Sequence, residues 1–217
     1  MWVIPEITPA FIERMEEVLD LYAKPYNPQE PVICFDEKSK QLLKDARPVI
    51  PMRQGTIRKA DYEYKRNGTA NIFMAVEPKG GYRTAKATNR RTKRDFAHEM
   101  RRIMDNVYPE AKNIHLVLDN LNTHFPSSLI ATFGTREAKR LMQRITFHHT
   151  PKHASWLNMA EIELSILGRQ CLNRRIPDAQ TLKHHLRTWQ ARRNKHHAKI
   201  NWKFTKHDAR NIFKYNT

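Results

Sequence analysis

A mixed α/β sheet flanked by helices, with extra basic helices toward the C-terminus, is the fold that this sequence of 217 residues predicts. The first ground is the alternation of short apolar runs, which read as strands, with longer stretches of helical periodicity. The second is their order: two or three consecutive strands, then helix, strand, helix and strand, as in α/β sheets. The third is length, which suffices for one substantial core with appended helices. No internal repeat or low-complexity tract competes with this reading.

The elements follow in order. "PAFIERMEEVLDLYA" (9–23) spaces Phe11, Met15, Val18, Leu19 and Tyr22 along one helical face, with Thr8 as N-cap and Pro9 in the first turn. "KPYNPQEP" is a proline-broken linker, and "PVICFDEKS" (31–39) reads as a short buried strand closing on Asp36 and Glu37. Residues 44–68 read as a basic loop. Strands are expected at 69–78 and 82–88, joined by the turn that Pro78, Gly80 and Gly81 mark. A helix over 92–108 carries Phe96, Met100, Ile103, Met104 and Val107 as its stripe. "NIHLVLDN" (113–120) is the next strand, residues 126–142 a helix, and "RITFHHT" (144–150) a strand. Long helices from Trp156 to about Asn173 and from about Ala179 to Lys195 complete the pattern.

Composition narrows the function. The formal charge of +17 and pI near 10.1 imply a polyanionic partner, since such self-repulsion otherwise only costs stability. The charge is also uneven. Residues 1–30 carry six acids against two bases, whereas residues 164–217 carry 13 bases against Asp178 and Asp208. Further basic clusters lie at "RQGTIRK", "YKRNG" and "NRRTKR", and three clusters in one domain point to nucleic acid. No apolar run is long enough to span a membrane, and "MWVIPEITPAF" lacks the pattern of a secretory signal, so an intracellular protein is expected. Cys34 and Cys171, each in an apolar segment, are expected as buried reduced thiols; a disulfide is the alternative.

The acids pose the sharper question. Asp36 and Asp119 each stand at the end of an expected buried strand. Were those strands neighbours and parallel, two carboxylates would converge at one sheet edge, which repulsion and desolvation disfavour unless cations bind. A third acid is expected from the helix after "HASWLN". There Trp156, Ala160, Leu164, Leu167 and Cys171 form the apolar stripe, Glu161 borders it beside Ser165 and Gly168, and Glu163 competes from the other side. Simpler readings exist for single residues: a strand-end aspartate can cap local backbone, Asn120 and Asn122 can form a turn, and His124, His148 and His149 can be turn or strand-end histidines.

Taken together, "VICFDEKS", "LVLDNLNTH" and "TPKHASWLNMAE" resemble the three signature blocks of the DDE transposases in the insertion-sequence branch related to mariner elements. The likeness continues through "SILGRQCLNRRIPD" and "INWKFTKHDAR". It implies an RNase H-like fold, with an acidic helix and linker over 1–30, the catalytic core over 31–175 and a basic helical extension over 176–217. It further implies Asp36, Asp119 and Glu161 as catalytic metal ligands, with Glu37, Asn120, Asn122, His124 and Asn158 in support. Two Mg²⁺ ions, with Mn²⁺ as substitute, would serve hydrolysis at an element end and then attack of the freed 3′-OH on target DNA. Arg90, Arg91, Lys93, Arg94, Arg169, Arg174, Arg175, Arg192 and Arg193 are the expected contacts to double-stranded DNA. A homodimer on DNA, a monomer for this chain alone, and a cytoplasmic, DNA-associated location complete the expectation. The third block departs from the common pattern, reading "LNMAE" where a proline is usual, but it keeps the spacing from Asn158 to Glu161. The family's N-terminal helix-turn-helix region has no counterpart, so the chain is expected to be the catalytic part of a longer protein. Another RNase H-like nuclease and a non-catalytic DNA-binding remnant are the alternatives.

Overall fold

The strands β1 (Val32–Asp45), β2 (Tyr64–Glu77), β3 (Tyr82–Thr88), β4 (Ile114–Leu118) and β5 (Ile145–His149) pair into one sheet in the order β3-β2-β1-β4-β5. The structure is a computed structural model, and it describes residues 6–59 and 61–215. The first three strands form an antiparallel meander; β4 and β5 then add parallel to β1, each after a helical crossover. The first five residues, on which part of the signal-sequence reading rests, lie outside the described residues.

Among the described residues, six α-helices cover the two faces. α1 (Pro9–Ala23) begins where Thr8 accepts from the Phe11 amide, with Pro9 in its first turn. α2 (Lys93–Arg102) starts with a reciprocal capping box between Thr92 and Asp95 and runs on as a π-helical turn, Ile103–Val107. α3 (Pro126–Met142) breaks at Gly134, whose φ of 76° is readily reached without a Cβ. α4 (Met159–Leu167) is followed by a π-helical turn, Gly168–Leu172, and by α5 (Ala179–Lys195), which Asp178 caps. α6 (Lys206–Phe213) is marked by its own capping box, Thr205 with Asp208, rather than by hydrophobic periodicity.

Strand alternation sorts the core into two layers. Cys34, Ile72, Met74, Val76 and Val117 point to the face covered by α1, α4, α5 and α6. Ile33, Phe35, Phe73, Leu116 and Leu118 point to the face covered by α2 and α3. Both cysteines are free and buried. The acidic helix α1 packs on its own chain: Glu16 meets Lys206, Arg210 and Tyr215 of the α6 region, and Asp20 meets Lys206. Among the described residues, no helix is long and apolar enough to cross a membrane.

Two expectations need correction. β1 does not end at Glu37 but continues to Asp45, and residues read as loop at 44–45 and 64–68 pair across it, with Lys44 opposite Lys65 and Asp45 opposite Tyr64. Backbone pairing holds this exposed, basic end of the hairpin, so it lacks the apolar alternation that betrays a half-buried strand. The expected single helix from Trp156 is also interrupted. Ser155–Leu157 form a 3₁₀ turn, and Asn158 takes an extended conformation (φ −82°, ψ 108°) to cap α4.

Candidate active site

The parallel pairing of β1 with β4 sets Cys34 opposite Val117, after which β4 soon stops. Two residues further along each chain stand Asp36 and Asp119, on the same side as Cys34 and Val117 by alternation, which is the side that α4 covers. Asp36 therefore lies within β1 rather than at its tip; the end of β4 is what opens the cleft beside it. Asn158 ties α4 to this spot. Its side-chain amide donates to the Phe35 carbonyl at 2.8 Å, while its Oδ1 accepts from the Ala160 amide at 3.1 Å. Glu161 follows one turn into the helix and is exposed.

Each aspartate has one oxygen engaged. Asp36 Oδ1 accepts from the Glu37 amide at 2.7 Å. Asp119 Oδ1 accepts from the Leu121 amide at 3.1 Å and from His124 Nδ1 at 2.6 Å, and its side chain is 38% exposed. Burial lifts the Asp36 carboxyl to about 7; the Glu37 amide opposes this, while the charges of Asp119, Glu37 and Glu161 add to it. Asp119 goes the other way. Burial would raise it, but the hydrogen bond and charge of His124 outweigh that and hold it below the usual carboxylate range.

His124 is fully buried against Phe35 and Phe96, with ring centroids 5.6 and 5.0 Å away. Its Nε2 lies 2.9 Å from Glu37 Oε2, a charge contact not aligned as a hydrogen bond. Burial opposes protonation, but the bond to Asp119 and the charge of Glu37 outweigh it and raise the imidazole to about 9. Asn120 accepts from Arg14 of α1 at 3.1 Å and donates to the Thr150 carbonyl, which fixes the turn after β4 to the end of β5. Asn122 is exposed, and no side-chain hydrogen bond of it is seen among the described residues.

Glu163, the rival third acid, is withdrawn from the cleft. It is fully buried, 3.0 Å from Arg83 of β3 and 2.8 Å from Arg193 of α5. Arg193, expected on DNA, is thereby committed to the interior. Arg175 is likewise engaged elsewhere, holding Asp45 and the carbonyls of Asp61, Tyr62 and Glu63, which staples the long hairpin to the segment before α5. Arg90, Arg91, Lys93, Arg94, Arg169, Arg174 and Arg192 are exposed. Arg91 also reaches to 3.7 Å from Glu37, and Arg169 donates to Ser165. Sequence reasoning missed Arg83 as a core residue, because an arginine in a strand reads as outward-facing until its partner acid is placed.

Oxygen donors alone, two half-engaged aspartates and a buried carboxyl destabilised by neighbouring acids fit a hard divalent cation. Among the described residues, however, no three Asp, Glu, His or Cys side chains stand close enough to form a finished cage. Convergence within one metal-bridging distance is therefore not seen. The charges of Asp119 and Glu161 do reach Asp36, and Glu161 is exposed.

The model of the DDE superfamily endonucleases matches residues 31–183 of the chain, the span from β1 into α5 that holds all three acids. The chain belongs to this family. Solved structures agree with the fold of a DDE endonuclease. The Mos1 mariner paired-end complex with Mn is similar at a TM-score of 0.55 and 16% identity, covering 88% of this chain and 58% of that one. The Mos1 strand transfer complex gives 0.55 and 13%, covering 88% and 57%, and a pre-cleavage Mos1 transpososome gives 0.55 and 14%, covering 92% and 59%. At such identities the likeness is one of fold, and it matches the mixed RNase H-like sheet expected from the sequence. The chain spans less than two thirds of the length of those solved chains. No curated protein matches it.

Proposed function

We propose that this DDE endonuclease is the catalytic part of a transposase, which cleaves DNA at transposon ends and transfers the 3′-OH end into target DNA. The observation that carries the proposal is the pair Asp36 and Asp119. Asp36 in β1 and Asp119 just past the end of its parallel neighbour β4 stand at matched positions, each two residues beyond the Cys34–Val117 pair, on the face where α4 brings Glu161. The similarity to Mos1 complexes named for paired ends and strand transfer supports it.

In this reading Asp36, Asp119 and Glu161 hold Mg²⁺, with Mn²⁺ able to replace it, as two ions during catalysis. When bound, such ions lower the pKa of an attacking water and stabilise charge on the scissile phosphate. The chain's own residues prepare the site. Glu37 N–H and His124 each occupy one oxygen of an aspartate, Asp36 and Asp119 respectively, and leave the other available to a cation. Asn158 sets the distance between the strand carrying Asp36 and the helix carrying Glu161. Asn120 joins the two loops that border Asp119. The exposed bases at the start of α2 and along 169–192 supply counter-charge for the phosphate backbone. Joining two ends requires two of them at once, so a homodimer on DNA is part of the proposal.

The test is nicking of a supercoiled plasmid by the chain with Mg²⁺ or Mn²⁺, beside its Asp119→Asn variant. Metal-dependent nicking lost in the variant is expected. Joining of a pre-cut end to target separates strand transfer from simple hydrolysis. DNA binding without any metal-dependent cutting would overturn the enzyme reading.

A further inference from the structure

Glu37 is the one acid near the cleft whose place the metal reading leaves unexplained. It follows Asp36 directly, so its side chain leaves β1 on the opposite face, the side of Phe35, α2 and α3. There the carboxylate is 3% exposed, and neither oxygen has an aligned hydrogen-bond donor. A buried, uncompensated carboxylate is costly. Arg91 is a poor remedy, at 3.7 Å and 53% exposed. The group that faces it is the His124 ring, set between Glu37 Oε2 at 2.9 Å and Asp119 Oδ1 at 2.6 Å and packed against Phe35 and Phe96.

We propose that Glu37 and His124 are positioning residues: the buried chain Glu37–His124–Asp119 fixes the rotation of the Asp119 carboxylate, and Glu37 is not itself a metal ligand. The proposal rests on the reading of Asp119 as a cation ligand. Three features argue for it. Both hydrogen bonds to Asp119 fall on the same oxygen, Oδ1, and leave Oδ2 without a hydrogen bond among the described residues. The ring is hydrogen-bonded to Asp119 through one nitrogen, lies 2.9 Å from Glu37 through the other, and packs against Phe35 edge-on and Phe96 at a tilt, which restricts its rotation. Glu37 stands on the other side of the sheet from Asp36 and reaches the cleft only through the imidazole. Partners of this kind, one bond removed from a ligand, commonly change metal affinity by about 10–100-fold when lost.

The experiment is Mn²⁺ titration of the full chain, read by calorimetry or by electron paramagnetic resonance of free Mn²⁺, for wild type, Glu37→Gln, His124→Asn and the double variant. Wild type is expected to bind, and each single variant to bind roughly 10–100-fold more weakly. The double variant is expected to be no weaker than the worse single one, because both break the same chain. Losses that multiply would make Glu37 an independent ligand and overturn the proposal, as would Glu37→Gln binding like wild type. If His124→Asn does not fold, the Mn²⁺ dependence of nicking by Glu37→Gln decides. A raised half-saturating concentration with recovery in excess Mn²⁺ supports positioning, and a lowered plateau with unchanged metal dependence refutes it. Absence of Mn²⁺ binding by wild type overturns the metal reading, and the positioning role falls with it; binding by wild type with failure in the variants' pattern overturns the positioning role alone.

Discussion

Two glutamates on α4, Glu161 and Glu163, meet opposite fates two residues apart. Glu163 is fully buried and held by Arg83 and Arg193, which join α4 to β3 and α5. Glu161 is exposed, has no ion pair among the described residues, and adds its charge to a cleft where Asp36 is already strained by burial and by Asp119. The same carboxylate is structural where cations of the protein answer it and available for chemistry where none does. Buried pairs resist removal of one partner because the other is left uncompensated.

The largest effect expected from this contrast is catalytic. Asp119→Asn and Glu161→Gln are each expected to lower metal-dependent nicking by about a thousandfold or more, roughly 4 kcal/mol of barrier. Thermal melting without metal is expected to show both folded. A Glu161→Gln protein that nicks like wild type would place the third acid elsewhere.

Next comes stability. Glu163→Gln leaves Arg83 and Arg193 facing each other without their acid, and about 3–5 kcal/mol of destabilisation is expected in denaturant titration. Glu161→Gln is expected to change stability little. Equal effects would erase the distinction between the two positions.

A smaller effect concerns pH. Asp36 rises from an ordinary 3.8 to about 7 in the folded chain. Between those values the folded protein binds a proton that the unfolded chain has released. Its contribution is thus full below about pH 4 and lost as pH rises through 7. His124, raised from 6.5 to about 9, adds a loss of the same sign at higher pH. Asp36→Asn is therefore expected to stabilise the metal-free chain at pH 8 by roughly 1–3 kcal/mol, and not at pH 4. Melting curves at the two pH values check this, and an equal shift at both would assign it to packing instead.

The smallest expected change separates neighbouring arginines. Arg192→Ala, at an exposed position of α5, is expected to make the salt dependence of DNA binding shallower by about 0.9 in log–log slope if it meets one phosphate. Arg193→Ala is expected to lower stability instead and leave that slope unchanged, since its guanidinium is bound to Glu163. Fluorescence anisotropy over a salt series, with melting curves, distinguishes the two.

The sequence by itself determined the sheet and most of its helices, because buried strands and amphipathic helices write their periods into the chain. β3 at Tyr82–Thr88 and α5 at Ala179–Lys195 fall where the pattern expects them. It also marked Asp36, Asp119 and Glu161 through three blocks whose order and spacing are specific. Tertiary structure decided what the pattern could not encode. It alone set Asp36 inside a longer strand beside the end of β4, because backbone pairing, unlike burial, leaves no period in the residues. It alone divided Glu161 from Glu163 and Arg192 from Arg193, because whether a charge faces water or an opposite charge depends on elements far apart in the chain. Glu37 and His124, separated by 87 positions yet 2.9 Å apart, are brought together only by the folded sheet.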